Sequence, residues 1–265
     1  MDILSSRIPE GFDCNFALDV AASLAQAAYK VMHHPDSMPA MPDGYQMTSL
    51  IRAREGALAE FTKSRNKLLA HVSQQGQDIF GLIGKNILEK TAFVAFRGTE
   101  TLFDWKNNIE VMYEPYAFVK DAGDVHFGFQ SLYTIMRESV ITSLSKICGD
   151  CEQVFVTGHS LGGALALLSA LDIAFNTEKN LTPKLITFAG PRVGLFKFHQ
   201  FFNHRVPSCY RVVASGDIVP HLPLFVPPFV YEHVGDAVNI DGGQDDPIKA
   251  HSLTESYIPG LKNLI

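Results

Sequence analysis

The chain has 265 residues, of which 46% are hydrophobic and 19% charged, a composition typical of a folded protein with a sizeable core. Its formal net charge is −6, from 22 basic and 28 acidic residues, and no cluster of lysine and arginine stands out, which argues against nucleic-acid binding. We therefore expect a single α/β domain over residues 1–265, a length that one core supports.

The sequence shows no sign of a secretory leader or a membrane span. Residues 1–12 include Asp2 and Glu10 and lack both the basic and the apolar stretch of a signal peptide. The apolar run Val20–Tyr29 is interrupted by polar residues and is too short to cross a bilayer. From these features we expect a cytoplasmic protein, or one exported without a classical leader, with no transmembrane segment.

Hydrophobic periodicity predicts alternating helices and strands. The predicted elements in chain order are a helix over Phe16–Val31, a loop over 38–44, strands over Leu68–Ser73, Asp78–Ile83 and Thr91–Phe96, a helix over Phe129–Leu144, a strand over Gln153–Thr157, a helix over Leu161–Phe175, a strand over Leu185–Ala189, a helix over Leu195–Phe202, and strands over Tyr210–Ala214 and Val234–Ile240. This alternation favours a mostly parallel central sheet with helices on both faces.

The four cysteines are too few for a disulfide scaffold at this length. Only Cys148 and Cys151 have suggestive spacing. A zinc site would need a second close pair, and Cys14 and Cys209 are far apart in the sequence. We expect Cys148 and Cys151 to be ordinary thiols in a loop, with a redox or metal role as the alternative.

The most informative segment is Gly158-His159-Ser160-Leu161-Gly162, which joins the strand-like run before it to the helix-like run after it. This arrangement predicts a nucleophile elbow, in which a tight turn strains the serine and lifts its hydroxyl above the sheet. The flanking glycines are needed because the turn leaves no room for larger side chains. Together with the alternation of strands and helices, the elbow indicates an α/β-hydrolase fold with Ser160 as nucleophile.

A serine nucleophile needs a base to remove its proton and an acid to orient that base. In this fold they follow the serine in the order acid, then histidine. Asp217 comes directly after the predicted strand Tyr210–Ala214, at the same edge of the sheet as the elbow, whereas Asp172 lies within a predicted helix. The other downstream acids, Asp241, Asp245 and Asp246, are typical of a solvated loop. We therefore predict Asp217 as the acid.

Three histidines have the right position in the chain to act as the base. His221 lies in a proline-rich run only four residues after Asp217, and His233 precedes the last predicted strand. His251 follows that strand, in a loop that could bring it over Ser160. We therefore predict His251 as the base.

The oxyanion of a tetrahedral intermediate needs hydrogen-bond donors. One is expected to be the backbone N–H of Leu161, directly after the nucleophile. The other is expected from the turn after the strand Thr91–Phe96, where Thr99 supplies a backbone N–H and a hydroxyl.

Several blocks of this sequence together resemble the class 3, fungal-type lipases. They appear in the family's order and are Phe96-Arg97-Gly98-Thr99, Asp104-Trp105, Val125-His126-Phe127-Gly128-Phe129, Gly158-His159-Ser160-Leu161-Gly162-Gly163, Thr187-Phe188-Ala189-Gly190-Pro191-Arg192-Val193-Gly194, Asp217-Ile218-Val219-Pro220 and Ala250-His251. The resemblance implies an α/β-hydrolase that cleaves carboxylic esters of lipids with Ser160, Asp217 and His251 as triad and Thr99 and Leu161 as oxyanion donors. It implies no metal or organic cofactor.

The resemblance also maps a lid onto residues 100–108. Phe103 and Trp105 are its main apolar residues, and Lys106, Asn107 and Asn108 make it rather polar, which predicts weak interfacial activation. Further along, the proline-rich run Ile218–Val230 either lines an acyl groove or meets lipid, or else packs as a loop over the core.

Our leading functional prediction is a lipase or esterase that hydrolyses acylglycerols. The enzymatic alternatives are a phospholipase A1 and a feruloyl-type esterase, and the non-enzymatic alternative is an α/β-hydrolase module used for binding. The predicted partner is a lipid or ester substrate, reached at a lipid–water interface, and no obligatory protein partner is indicated. Acyl length, head group and oligomeric state are left open.

Overall fold

The computed structural model describes residues 8–64, 66–99, 111–179, 181–224 and 230–265, and every structural statement below concerns these residues. The first helix, α1, begins at Cys14 and ends at His33, with α-helical segments Cys14–Phe16 and Ser23–His33 on either side of a π-helical segment, Ala17–Ala22. The other helices are α2 (Ala57–Glu60), α3 (Lys67–Gln75), α4 (Phe127–Ile147), α5 (Leu161–Asn176), α6 (Phe196–Arg205), α7 (Pro247–Ala250) and α8 (Ile258–Lys262).

The strands are β1 (Tyr45–Arg52), β2 (Ile79–Asn86), β3 (Thr91–Phe96), β4 (Tyr113–Pro115), β5 (Asp124–His126), β6 (Gln153–His159), β7 (Lys184–Phe188), β8 (Gly194–Leu195), β9 (Cys209–Ala214), β10 (Tyr231–Glu232) and β11 (Asp236–Ile240). Within the described residues, seven of them form the central sheet in the order β1-β2-β3-β6-β7-β9-β11, and a smaller sheet has the order β10-β8-β5-β4. The pairs β1–β2 and β2–β3 are antiparallel, whereas β3, β6, β7, β9 and β11 run parallel to one another. The predicted mostly parallel sheet is confirmed.

Helices cover both faces of the central sheet, as predicted. One apolar core lies on the face where α4 and α5 pack, and it includes Phe129, Leu165 and Leu168. The opposite core lies under α1 and the C-terminal helices and includes Leu24, Phe155 and Tyr257. Because β3 and β6 lie between the two cores, their residues are buried almost throughout, which explains their continuous apolar sequence.

The short strands of the smaller sheet were not predicted, and two elements before β3 differ from the sequence-based predictions. The predicted strand Leu68–Ser73 is wrong, because these residues belong to α3, which Asn66 caps by accepting a hydrogen bond from the Leu69 N–H at 3.2 Å. The buried residues Leu68, Leu69 and Val72 have helical spacing, and Gly76 ends the helix in a left-handed conformation. The sequence analysis also missed β1, whose Gln46, Thr48 and Ser49 give it a polar character typical of an edge strand.

A buried ion pair joins α4 to α5, the helix that carries the elbow. The Asp172 side chain is 0% exposed and accepts hydrogen bonds from Arg137 at 2.7 and 2.9 Å and from the Tyr133 hydroxyl at 2.7 Å. Asn176 donates to the same carboxylate at 2.7 Å. Asp172 is thus a structural acid that fixes α5 against α4, in agreement with its exclusion from the predicted triad.

Removing this buried carboxylate should destabilise the fold. We expect Asp172→Ala to lower the free energy of unfolding by about 3 kcal/mol, because it leaves Arg137 and the Tyr133 hydroxyl without their acceptor. The matched control is Asp78→Ala, which breaks an equally short pair with Arg52, at 2.9 Å, whose side chains are 48% and 56% exposed. That loss should stay below about 1 kcal/mol. Urea unfolding of both variants measures the difference, and equal losses would contradict the role assigned to Asp172.

Candidate active site

Ser160 lies at the turn between β6 and α5 with φ 59° and ψ −129°. A positive φ is uncommon for a residue with a side chain, and strain of this kind concentrates at functional sites. The surrounding backbone is very close. A methyl group added at Gly158 would lie 2.2 Å from the Gly162 carbonyl oxygen, and one added at Gly162 would lie 2.4 Å from the Phe96 carbonyl oxygen. The elbow predicted from the sequence is therefore present, and both glycines are required by contact.

Asp217 and His251 meet above the carboxyl ends of the parallel strands. Asp217 follows β9, His251 follows α7, and the His251 Nδ1 lies 2.9 and 3.0 Å from the two carboxylate oxygens. Because an ionised carboxylate only accepts hydrogen bonds, Nδ1 carries the proton, and Nε2 of the neutral ring keeps its lone pair. The structure thus brings together the two residues that the sequence analysis selected.

Asp217 is 2% exposed, and its charge is stabilised by further donors. The Val219 backbone N–H donates at 2.9 Å and the Tyr257 hydroxyl at 2.5 Å. Burial and the neighbouring carboxylate raise the pKa of Tyr257 well above its ordinary value, so this hydroxyl keeps its proton and remains a donor. The sequence analysis missed Tyr257, because nothing in a sequence marks a tyrosine 40 residues from its partner.

Three polar atoms near the elbow are buried and have no hydrogen-bond partner among the described residues. They are the Ser160 Oγ, the His251 Nε2 and the Thr99 Oγ1. Buried polar groups are normally paired, and exceptions are typical of sites that wait for a ligand. Thr99 and His251 line an open cleft of about 660 Å³. These atoms are thus a candidate site for an ester group.

The predicted oxyanion donors lie on two segments that approach each other closely. Leu161 is the first residue of α5, where backbone N–H groups have no partner within the helix. Thr99 follows β3, which pairs with β6 so that Phe96 lies beside Gly158. A methyl group at Gly98 would lie 2.9 Å from the Ser160 Cβ, so this glycine lets the turn after β3 approach Ser160.

Arg97 holds this turn in place, a role that the sequence analysis did not predict. Its side chain is buried and donates hydrogen bonds to the carbonyl oxygens of Ile79 at 2.7 Å and Gly98 at 2.8 Å. Its guanidinium also lies 4.8 Å from the centre of the Phe80 ring. Arg97 therefore fixes the backbone immediately before Thr99.

His159 connects the elbow to two distant segments. Its Nε2 lies 2.8 Å from the His251 carbonyl oxygen, and its Nδ1 lies 2.9 Å from the Tyr29 hydroxyl. Because a carbonyl only accepts, Nε2 donates and Nδ1 accepts from Tyr29. Burial, with a smaller effect of a charge on His251, lowers the pKa of His159 to about 3. A neutral ring thus lies next to His251, with the ring centres 4.7 Å apart.

The other histidines and acids considered in the sequence analysis lie elsewhere. His233 donates from Nε2 to the Pro220 carbonyl oxygen at 2.5 Å, and burial, followed by the charge of Arg211, lowers its pKa to about 3. His221 is exposed at the end of a 3₁₀ turn. Of the loop acids, Asp241 accepts from Ser215 at 3.1 Å, Asp246 caps α7, and Asp245 is exposed.

The predicted lid, residues 100–108 with Phe103 and Trp105, lies outside the described residues. So do residues 225–229 of the proline-rich run. Before them, Ile218 and Leu224 are 42% and 60% exposed. Val219 and Leu222 between them are buried, so the described part of that run packs on the protein and presents the Ile218 and Leu224 side chains to solvent.

Cys148 and Cys151 flank a 3₁₀ turn after α4, and all four cysteines are free thiols. Burial, then the neighbouring Cys151, raises the pKa of Cys148 to about 12, and a thiol without thiolate character is unreactive. Among the described residues, no group of three or more histidine, cysteine, aspartate or glutamate side chains could hold a metal ion. No helix of the described chain is long and apolar enough to cross a bilayer.

Comparison with known proteins decides the family. The sequence profile of "Lipase (class 3)" matches residues 93–226, which are 134 of the 265 residues, and this range includes most of β3, the elbow and Asp217. The chain belongs to the class 3 lipase family. The α/β-hydrolase fold follows from similar solved structures. A lipase from Rhizopus microsporus var. chinensis has a TM-score of 0.53 at 26% identity, covering 76% of this chain and 79% of that one.

Curated relatives of this class 3 lipase family member include enzymes of two kinds. The lipase of Rhizomucor miehei is 35% identical over 167 residues, covering 60% of this chain and 44% of the relative. Phospholipase A1-Igamma2, chloroplastic, of Arabidopsis thaliana is 31% identical over 216 residues, covering 65% of this chain and 41% of the relative. The chain spans about half or less of the length of these curated relatives.

The lowered pKa of His159 makes the stability of this class 3 lipase family member depend on pH. The folded-state pKa of about 3 lies below the ordinary 6.5, so between these values the unfolded chain binds the proton and the folded one does not. The free energy of unfolding should therefore fall as pH decreases from 6.5 towards 3. One histidine contributes at most about 1.4 kcal/mol per pH unit to this slope.

We expect His159→Gln to flatten the slope, since glutamine does not titrate. Urea unfolding at several pH values between 7 and 4 measures it. The control is His204→Gln, which replaces an exposed histidine and should leave the slope unchanged. If His159→Gln and the wild-type protein lose stability with the same slope, His159 is not held neutral in the fold.

Proposed function

We propose that this protein is a serine carboxylic-ester hydrolase, a lipase that acts on acylglycerols through a Ser160–His251–Asp217 triad. The observation that carries the proposal is the buried hydrogen bond between Asp217 and His251, which leaves the His251 Nε2 without a partner among the described residues, next to the strained elbow. Relatives named as lipases, among them a secreted mono- and diacylglycerol lipase of Fusarium solani at 30% identity, support acylglycerols as the substrate class.

In the proposed mechanism, the Ser160 Oγ attacks the ester carbonyl while the His251 Nε2 accepts its proton. Asp217 stabilises the imidazolium that forms, and the N–H groups of Leu161 and Thr99 donate to the oxyanion. His251 then gives the proton to the leaving alcohol, and an acyl group remains on Ser160. A water molecule activated by the same histidine releases the carboxylic acid.

His159 acts in this scheme as a positioning residue. Its N–H holds the backbone of His251, and its low pKa keeps a second positive charge away from the imidazolium. A neutral neighbour matters here because two imidazolium rings at this separation would disfavour proton transfer to His251.

Phospholipase A1 activity is the second candidate. Three chloroplastic phospholipases A1 of Arabidopsis thaliana are among the relatives, at 26 to 31% identity. The exposed apolar side chains of Ile218, Leu224 and Ile248 favour action at a lipid–water interface.

We further propose that residues 1–265 act as one catalytic domain, since both apolar cores lie against the same central sheet.

The triad proposal predicts the effect of removing the nucleophile. We expect Ser160→Ala to leave the circular dichroism spectrum unchanged and to lower kcat for p-nitrophenyl esters on the order of 10⁶-fold. His251→Ala should be comparably impaired, and Asp217→Asn should lose about 10⁴-fold, because the asparagine stabilises the wrong tautomer of His251. His233→Ala is the matched control and should retain turnover. If His233→Ala were inactive and His251→Ala active, His251 would be the wrong choice of base.

The positioning role of His159 predicts a difference between two substitutions. His159→Gln keeps an N–H that reaches the His251 carbonyl, whereas His159→Leu leaves that buried carbonyl without a donor. We expect kcat for a soluble p-nitrophenyl ester to fall about 10- to 100-fold more in His159→Leu than in His159→Gln, with KM little changed. If both variants lose the same factor, or if the loss is in KM, the hydrogen bond to His251 does not position the base.

A further inference from the structure

We propose that the cleft beside His251 binds the phosphate of a glycerophospholipid head group, and that Lys30 recognises it. This inference rests on the proposed ester hydrolysis in its second form, phospholipase A1 activity, and names the alcohol part of the substrate. The cleft of about 660 Å³ adjoins the candidate site, since Thr99, His159 and His251 are among its lining residues. Lys30, on α1, lines the same cleft.

The chemistry of the triad determines which part of the substrate this cleft holds. His251 gives its proton to the departing alcohol, so the alcohol oxygen must lie beside the His251 Nε2 at that step. His251, the segment that follows it, Ser252–Thr254, and Ile248 all line the cleft. The glycerol of a leaving group, and whatever it carries, would therefore extend into this cleft.

The lining of the cleft favours an anion. Lys30 and Gln26 are four residues apart on α1 and so lie on the same helix face, and Ser252 and Thr254 add hydroxyl groups. No described residue that lines the cleft is acidic, although the chain has a net charge of −6. Lys30 forms no ion pair with a described residue. An ammonium group surrounded by neutral donors suits a phosphate, whereas a neutral acylglycerol would gain nothing from the charge.

A second cleft extends this surface along α1. It measures about 360 Å³ and shares Lys30 and Gln26 with the first, to which it adds His34 and Ser37. The described residues that line it are again without a carboxylate. Lys30 thus lies where the two clefts meet, and the second one offers room for the part of the head group beyond the phosphate.

The test compares two esters that differ only in the phosphate, 1-octanoylglycerol 3-phosphate and 1-octanoylglycerol, both used as monomers so that surface charge plays no part. We expect Lys30→Gln to lower the ratio of their kcat/KM values, phosphate over neutral, at least about 10-fold, mainly through KM of the phosphate ester. The matched control is Lys197→Gln, an exposed lysine on α6 that lines neither cleft. It should leave the ratio as in the wild-type protein.

Inhibition distinguishes a head group from a free ion. sn-Glycerol 3-phosphate should compete with the neutral ester in the wild-type protein and much less in Lys30→Gln, and inorganic phosphate at the same concentration should compete more weakly. An unchanged ratio in Lys30→Gln, or no cleavage of the phosphate ester by a wild-type protein that cleaves the neutral one, would overturn the inference while the proposed function stands. Failure to cleave either ester would instead contradict the proposed function.

Discussion

The close approach of three backbone segments at the elbow is the constraint on which the rest of the site depends. The end of β6, the first turn of α5 and the turn after β3 come so near to each other that a single methyl group at Gly98, Gly158 or Gly162 would overlap with a neighbouring atom at 2.2 to 2.9 Å. This contact fixes Ser160 in its strained conformation. Thr99 and Leu161 follow directly on these segments, so one set of packing contacts positions the proposed nucleophile and both proposed donors.

The negative charge of Asp217 is stabilised by neutral hydrogen-bond donors. Asp217 is buried, and the hydrogen bonds it accepts come from an imidazole, a phenol and a backbone amide. Its negative charge therefore remains available to stabilise a positive charge on His251, which a salt bridge to a lysine or arginine would have cancelled. His159, next to the same ring, stays uncharged through burial. On the proposed mechanism, Asp217 is thus the charged group that stabilises a proton on His251.

The sequence predicted correctly those elements that depend on residues close together in the chain. The elbow combines a glycine-rich turn with a buried strand and a buried helix, and Asp217 directly follows β9, so both could be located without coordinates. The wrong strand over Leu68–Ser73 arose because short apolar runs fit a helix and a strand equally well, and the cap at Asn66 was overlooked. Strand β1 was missed because its polar residues belong to an edge strand.

Contacts between residues far apart in the chain could not be predicted from such local patterns. The hydrogen bond between Tyr29 and His159 spans 130 residues, and that between His159 and His251 spans 92. The role of Arg97 could not be predicted from the sequence, because the groups that accept its hydrogen bonds are backbone carbonyl oxygens, which every residue has. The lid prediction, with Phe103 and Trp105, concerns residues outside the described part and stays a prediction.

The hydrogen bonds that join Tyr29, His159 and His251 connect segments that are synthesised far apart in time. Tyr29 is synthesised early, the elbow follows in the middle of the chain, and His251 and Tyr257 come more than ninety residues after Ser160. A nascent chain therefore carries its serine long before it carries a base. On the proposed mechanism, a chain that has reached the elbow but not His251 has a serine without a base, and it cannot yet cleave an ester.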